Sequence, residues 1–254
     1  MKKTFAIVCL AMLAAGASAQ TNLQLFYDFG EGREHFTSTL EMFKSDNWGN
    51  TFFFVDYDYN FKMREPDGNS YVAAPNKTYF EIERVINFWR ESALAPLGIQ
   101  IEYDGGFGST GLLGSYPITS AWLLGADFAI PCCDCSNSMN LKVLYRKTKK
   151  DSESIPVQFS AVWGMHRLFG LDGLSFSGYA DFFGQENCWL NEDGTEDETD
   201  WVFLSEPQLW YNVGRHFGCD NLNIGGEIEL GYNFGGNAEQ GFKCNPCLGV
   251  KWSF

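Results

Sequence analysis

The stretch TFFFVDYDYNF, residues 51–61, runs without a turn residue and separates into two interleaved sets of opposite chemistry. Phe53, Val55, Tyr57, Tyr59 and Phe61 form one set; Asp56, Asp58 and Asn60 close the other, which begins with Phe52 and Phe54. Successive side chains of a strand point to opposite faces, so the carboxylates face something wet and the first set something apolar. In a water-soluble sandwich the apolar face is the core. In a membrane barrel the order inverts, with lipid outside and a wet interior.

The same alternation recurs along the chain, in twelve segments separated by Gly, Pro, Asn and Asp clusters. Residues 97–104 set Ile99, Ile101 and Tyr103 against Gln100, Glu102 and Asp104, and residues 221–234 set Leu222, Ile224, Ile228 and Leu230 against Asn223, Glu227 and Glu229. Arg84 falls on the apolar face of its segment, where lipid contact costs about 2–4 kcal/mol at the bilayer midplane and almost nothing near an interface. It is therefore expected near a bilayer edge or on a bulge that turns it inward. Pro207 interrupts residues 201–213, which a central soluble strand tolerates poorly.

The first residues are separable. Lys2 and Lys3, the apolar run 5–15 and Ala17-Ser18-Ala19 read as a secretory signal over 1–19, with a single transmembrane barrel domain over 20–254. The apolar run falls short of the roughly 20 residues a spanning helix needs, and membrane insertion elsewhere must be by strands. The formal charge of −14, more negative still without the leader lysines, argues against nucleic acid as a partner.

Of eight cysteines, Cys9 leaves with the leader. Cys132, Cys133 and Cys135 crowd one polar turn, Cys244 and Cys247 stand three apart, and Cys188 and Cys219 are isolated. In an exported chain this pattern favours disulfides stapling turns over a metal site, with the pairing left open. No metal and no cofactor is expected. The glycine-rich residues 105–117 lack a phosphate-loop pattern and read as a flexible connection, and the acidic run NEDGTEDETD reads as solvated loop without the ligand spacing of a cation site.

Connection lengths choose between sandwich and barrel. With both chain ends on one side, the longest connections (62–76, 105–120, 147–156 and 184–200) all fall on the other, as a barrel's short inner turns and long outer loops require. Polar faces carry many carboxylates and few cations, and Tyr and Trp recur near segment ends. The fold expected is a twelve-stranded antiparallel transmembrane β-barrel of the bacterial outer membrane, with a narrow acidic lumen.

FFFVDYDYNF, YFEIERVINFW, EPQLWYNVG, IGGEIELGYNF and the final VKWSF together resemble the Tsx-like nucleoside-specific channel family of outer-membrane proteins. That resemblance implies a monomeric barrel in outer-membrane lipid of a Gram-negative bacterium, passing nucleosides by diffusion. It also implies that the terminal Phe254 is a signal to the barrel assembly machinery. The lumenal residues expected to hold a nucleoside-like solute are Phe26, Asp28, Phe52, Phe54, Asp56, Asp58, Tyr79, Glu81, Glu83, Glu227 and Glu229. Rings would stack on the base and carboxylates would accept from ribose hydroxyls.

Two other classes compete. An outer-membrane lipid hydrolase needs a nucleophile and base near the outer rim, where His35 is the one histidine expected, and no GxSxG occurs. A secreted soluble β-sandwich binding protein would make the apolar faces its core.

Overall fold

The structure is a computed structural model that describes residues 19–30, 33–59, 75–109, 115–130, 137–148, 155–190, 193–236 and 240–254. The leader lies outside the described residues apart from its last position, as do Asn60, Phe61, most of connection 62–76 and the cysteines at 132, 133 and 135.

The strands are β1 (Ala19–Asp28), β2 (Phe36–Asp46), β3 (Gly49–Tyr59), β4 (Pro75–Ile86), β5 (Leu97–Ser109), β6 (Ser115–Ala129) and β7 (Ser138–Thr148). They continue with β8 (Val157–His166), β9 (Leu174–Leu190), β10 (Glu196–Ser205), β11 (Gln208–Tyr211), β12 (Leu222–Tyr232) and β13 (Phe242–Ser253). Each pairs antiparallel with its neighbours, and β1 closes on β13 from Asn22↔Ser253 to Asp28↔Cys247. One closed sheet results, which excludes two stacked sheets and leaves no free edge.

The alternation seen in the sequence sets the faces. Odd positions of β5 (Ile99, Ile101, Phe107) and even positions of β6 (Trp122, Leu124, Phe128) are exposed outward, as are Leu141, Val143 and Tyr145 of β7. Their neighbours Gln100, Glu102, Asp104, Asp127 and Lys142 point inward and are buried. A shift of one residue in any strand would exchange these faces, so the pattern pins the register.

Thirteen strands make twelve staves, because β10 and β11 are halves of one. Both pair with β9 on one side and β12 on the other. Pro207 stands between them, and a proline has no N–H to give to the ladder. Arg84, two residues from the end of β4, pairs with Asp46 at the end of β2 at 2.8 Å and donates to Thr51 Oγ1 at 2.9 Å. Its charge is thus neutralised at the rim of the apolar belt.

Three expectations need correction. The glycine-rich connection 105–117 is largely strand, since β5 runs to Ser109 and β6 begins at Ser115; Gly105, Gly106 and Gly108 of β5 pair with Phe80, Tyr79 and Lys77 of β4, and a Cβ at Gly106 would come within 2.1 Å of the Thr78 carbonyl oxygen. The acidic run is solvated as expected, but from Glu196 onward it is strand rather than loop: it forms one arm of the β9–β10 hairpin, with Glu196 opposite Leu190 and Glu198 opposite Cys188. The cysteines differ too. Among those described, Cys188, Cys219, Cys244 and Cys247 form no disulfide. Cys244 and Cys247 lie on one strand three residues apart, so the strand period sends one outward and the other into the barrel.

The interior is filled to a degree the sequence did not suggest. Trp210, Phe26, Leu123, Leu144, Gln24, Gln100, Val202 and Asp104 each expose under 2 % of their surface. Apolar groups therefore pack among the carboxylates: Phe26 meets Trp210 at 5.5 Å, and Ala121, Leu123 and Leu144 form a second cluster.

Candidate functional site

The barrel interior is the candidate site, and its charge is organised differently at two levels. At the loop end, Arg33, between β1 and β2, lies between Asp28 and Glu229. Its Nε lies 2.7 Å from Asp28 Oδ2 and its Nη1 2.5 Å from Glu229 Oε1. Asn245 Nδ2 donates to Glu229 at 3.0 Å, and Gly30 N–H donates to Asp28 at 2.6 Å. Burial works against the guanidinium charge, but the two carboxylates outweigh it and hold the Arg33 pKa above its ordinary value.

A second group surrounds Asp58. Lys77 Nζ lies 3.2 Å from Asp58 Oδ2, Thr37 Oγ1 donates to Asp58 Oδ1 at 2.8 Å, and His35 Nε2 stands 3.7 Å away. The last distance is electrostatic contact rather than a hydrogen bond. His35 Nδ1 meets the Arg33 carbonyl at 2.9 Å. Burial disfavours the imidazolium, yet Asp58, the Arg33 carbonyl and Asp28 together raise the His35 pKa above its ordinary value. His35 is therefore a buried partner of carboxylates inside the mouth, not a base presented at the lipid rim.

The waist is different. Glu81 stands opposite Asp104 and Glu83 opposite Glu102 on the facing strands β4 and β5, all pointing inward. Arg146 Nη1 reaches Asp104 Oδ2 at 3.0 Å and Gln158 Oε1 at 2.9 Å while its guanidinium lies 4.5 Å over the Phe183 ring. Lys142 Nζ sits 2.5 Å from Glu83 Oε2 and 3.9 Å from Asp127 Oδ2. Two cations thus face Glu81, Glu83, Glu102, Asp104 and Asp127. Tyr79 donates its hydroxyl to Glu81 at 2.8 Å, and Phe52, Phe54 and Tyr79 form a row of rings at 6.1 and 6.0 Å along the adjoining wall.

Two further carboxylates, Asp56 on β3 opposite Tyr79 and Glu227 on β12, meet neutral donors. Asp56 accepts from Thr39 Oγ1 at 2.5 Å and Glu227 from Gln208 Nε2 at 2.9 Å. Gln208 Oε1 in turn accepts from Trp210 Nε1 at 2.9 Å, and Lys251 Nζ lies 4.3 Å over the Trp210 ring.

The sequence-derived residues therefore divide. Phe52, Phe54, Asp56, Tyr79, Glu81 and Glu83 share one wall, Asp28, Asp58 and Glu229 belong to the mouth, Glu227 stands on β12 beside Gln208, and Phe26 is sequestered against Trp210. Sequence reasoning placed Glu102 and Asp104 on polar faces without assigning them to the site, and it missed Arg33 and Trp210. Trp210 was within reach, because it shares strand parity with Gln208 directly after Pro207. Arg33 sits in a connection, where no periodicity marks an inward residue.

Among solved structures, the chain superposes on the NanC porin with a TM-score of 0.53 at 9% identity, over 92% of this chain and 100% of that one. Pseudomonas aeruginosa OccK2 (OpdF), in complex with glucuronate, aligns with a TM-score of 0.42 at 10% identity over 93% and 96% of the two chains. Pseudomonas putida OprB aligns with a TM-score of 0.42 at 9% identity over 86% and 59%. At such identity the NanC likeness speaks for the fold, a closed antiparallel barrel. No curated protein matches the sequence. The model of one family does match, over residues 19–254, and the chain belongs to that family, described as a domain of unknown function, DUF5020.

Proposed function

We propose that this protein is an outer-membrane channel for passive uptake of small neutral or cationic solutes, exported by a signal peptide over residues 1–19. The observation that carries the reading is the inversion of a soluble protein's faces. A belt of exposed apolar side chains surrounds the barrel while charged residues such as Asp104, Asp127 and Lys142 are buried inside. The interior holds more carboxylates than cations, which favours cations and repels phosphorylated solutes. Phe254, exposed at the end of β13, suits recognition by the assembly machinery.

Nucleosides are the solute class we favour. The row Phe52, Phe54 and Tyr79 offers stacking worth about 1–3 kcal/mol per base. Asp56, Glu81 and Glu83 lie beside it as acceptors for ribose hydroxyls. Because the waist is filled, passage requires inward side chains to swing aside, so the unitary current should be small.

The test is single-channel recording of the refolded chain in a planar bilayer under a salt gradient. A small cation-selective current reduced by added nucleoside is expected, with Phe54→Ala weakening that block by about tenfold. No current from folded protein removes the channel reading, and anion selectivity removes the preference for neutral or cationic solutes. A cation-selective current indifferent to nucleosides removes only the solute class.

A further inference from the structure

Glu81 on β4 and Glu102 and Asp104 on β5 present carboxylate oxygens that lie within 4.8 Å of one another. The register forces this approach, since Glu81 is directly opposite Asp104. Like charges opposed across a sheet are destabilising, and burial removes the water that would screen them. Protein donors meet part of the demand: Arg146 serves Asp104 Oδ2, the Tyr79 hydroxyl serves Glu81 Oε1, and the Gln100 amide serves Glu102 Oε2. Two further oxygens are orphaned. Asp104 Oδ1 and Gln100 Oε1 have no hydrogen-bond partner, on side chains 2% and 0% exposed. Gln100 is not one of the three carboxylates, and its amide borders them through the bond to Glu102.

We propose that this waist cluster is a divalent-cation site, with Glu81, Glu102 and Asp104 as ligands, the orphaned Gln100 oxygen at its margin, and calcium preferred to magnesium. The donors are all oxygens, the set that hard cations take. Oxygens about 2.4 Å from a shared calcium ion are at most about 4.8 Å apart, so the spacing admits one ion. Three carboxylates against the single charge of Arg146 leave an excess that a divalent ion neutralises, while Lys142 is occupied by Glu83 at 2.5 Å. Magnesium keeps several of its waters, for which a filled waist has little room, whereas calcium accepts irregular protein cages.

The test is calcium binding by the chain refolded into detergent micelles free of lipopolysaccharide, stripped with chelator, then followed by equilibrium dialysis and thermal unfolding. One ion per chain is expected, with a higher unfolding midpoint and weak competition from magnesium. Glu102→Gln and Asp104→Asn should each weaken binding by about tenfold or more. The exposed acids near Cys188 serve as the control: Glu186→Gln with Glu198→Gln should leave binding intact. In chelator, Glu102→Gln should unfold no earlier than the parent, because it loses repulsion; a carboxylate with a purely structural role would unfold earlier. If neither inner variant folds, Glu81→Gln at the half-buried edge replaces them. No calcium bound by the folded barrel at millimolar concentration, or binding that survives Glu81→Gln together with Asp104→Asn, overturns the proposal. Binding is read without current, so failure of the site and failure of the channel reading are separate results.

Discussion

The mouth and the waist of this barrel are lined by the same residue types on the same strand alternation, yet they solve the problem of buried charge in opposite ways. At the mouth, Asp28 and Glu229 share Arg33, and Asp58 takes Lys77 and His35. At the waist, Lys142 answers Glu83 and Arg146 answers Asp104, but Glu81 and Glu102 have only neutral donors. The difference follows from what carries the cations. Arg33 and His35 lie outside the strands, with only Lys77 of the mouth's cations on β4, whereas β4 and β5 bring their carboxylates together through a fixed register.

Substitutions can break this contrast, and the largest effect is expected at the mouth. Arg33→Met leaves Asp28 and Glu229 buried without their cation and should cost about 3–5 kcal/mol in urea unfolding of the refolded barrel. A loss under 1 kcal/mol would show that the mouth is not held by that cation.

The waist should respond with the opposite sign. In chelator, Glu81→Gln keeps an acceptor for Tyr79 while removing one of the opposed charges, and should stabilise the barrel by about 1 kcal/mol on the same assay. If it destabilises as much as Arg33→Met, the two levels are alike.

His35→Ala sharpens the comparison with the smallest effect, about 0.5–1 kcal/mol, and a defined pH window. Because the folded-state pKa of His35 is raised, its contribution is full below the unfolded value of about 6.5 and disappears as pH rises through the folded value. Parent and variant should therefore differ in unfolding midpoint at pH 5 and coincide at pH 9.

Much of the fold was legible because a two-residue period is local. Asp56 beside Val55, or Glu102 beside Ile101, tells which way each side chain points without any knowledge of neighbours. Strand ends were less legible: glycines 105, 106 and 108 look like loop residues, but each lies within β5 and pairs across to β4 or β6. The site was legible in membership and not in grouping. That Glu81 meets Asp104 depends on how β4 slides along β5, which neither strand encodes alone. That Phe26 is withdrawn against Trp210 depends on two strands distant in sequence, β1 and β11, being brought near each other through β13 and β12.

The break at Pro207 has a consequence for how the wall opens in time. Around it the ladder is reduced to isolated bonds: Glu206 N–H to the Tyr179 carbonyl at 3.1 Å and Ile228 N–H to the Pro207 carbonyl at 3.1 Å. Gly178 lies across from it with φ +148°, where an added Cβ would come within 2.4 Å of the Glu206 carbonyl oxygen. Such a seam is where amide hydrogens should first trade with solvent deuterium, ahead of the unbroken β2–β3 hairpin, because opening there severs the fewest bonds. Glu206 is at that seam, so the stave most ready to breathe also carries a carboxylate.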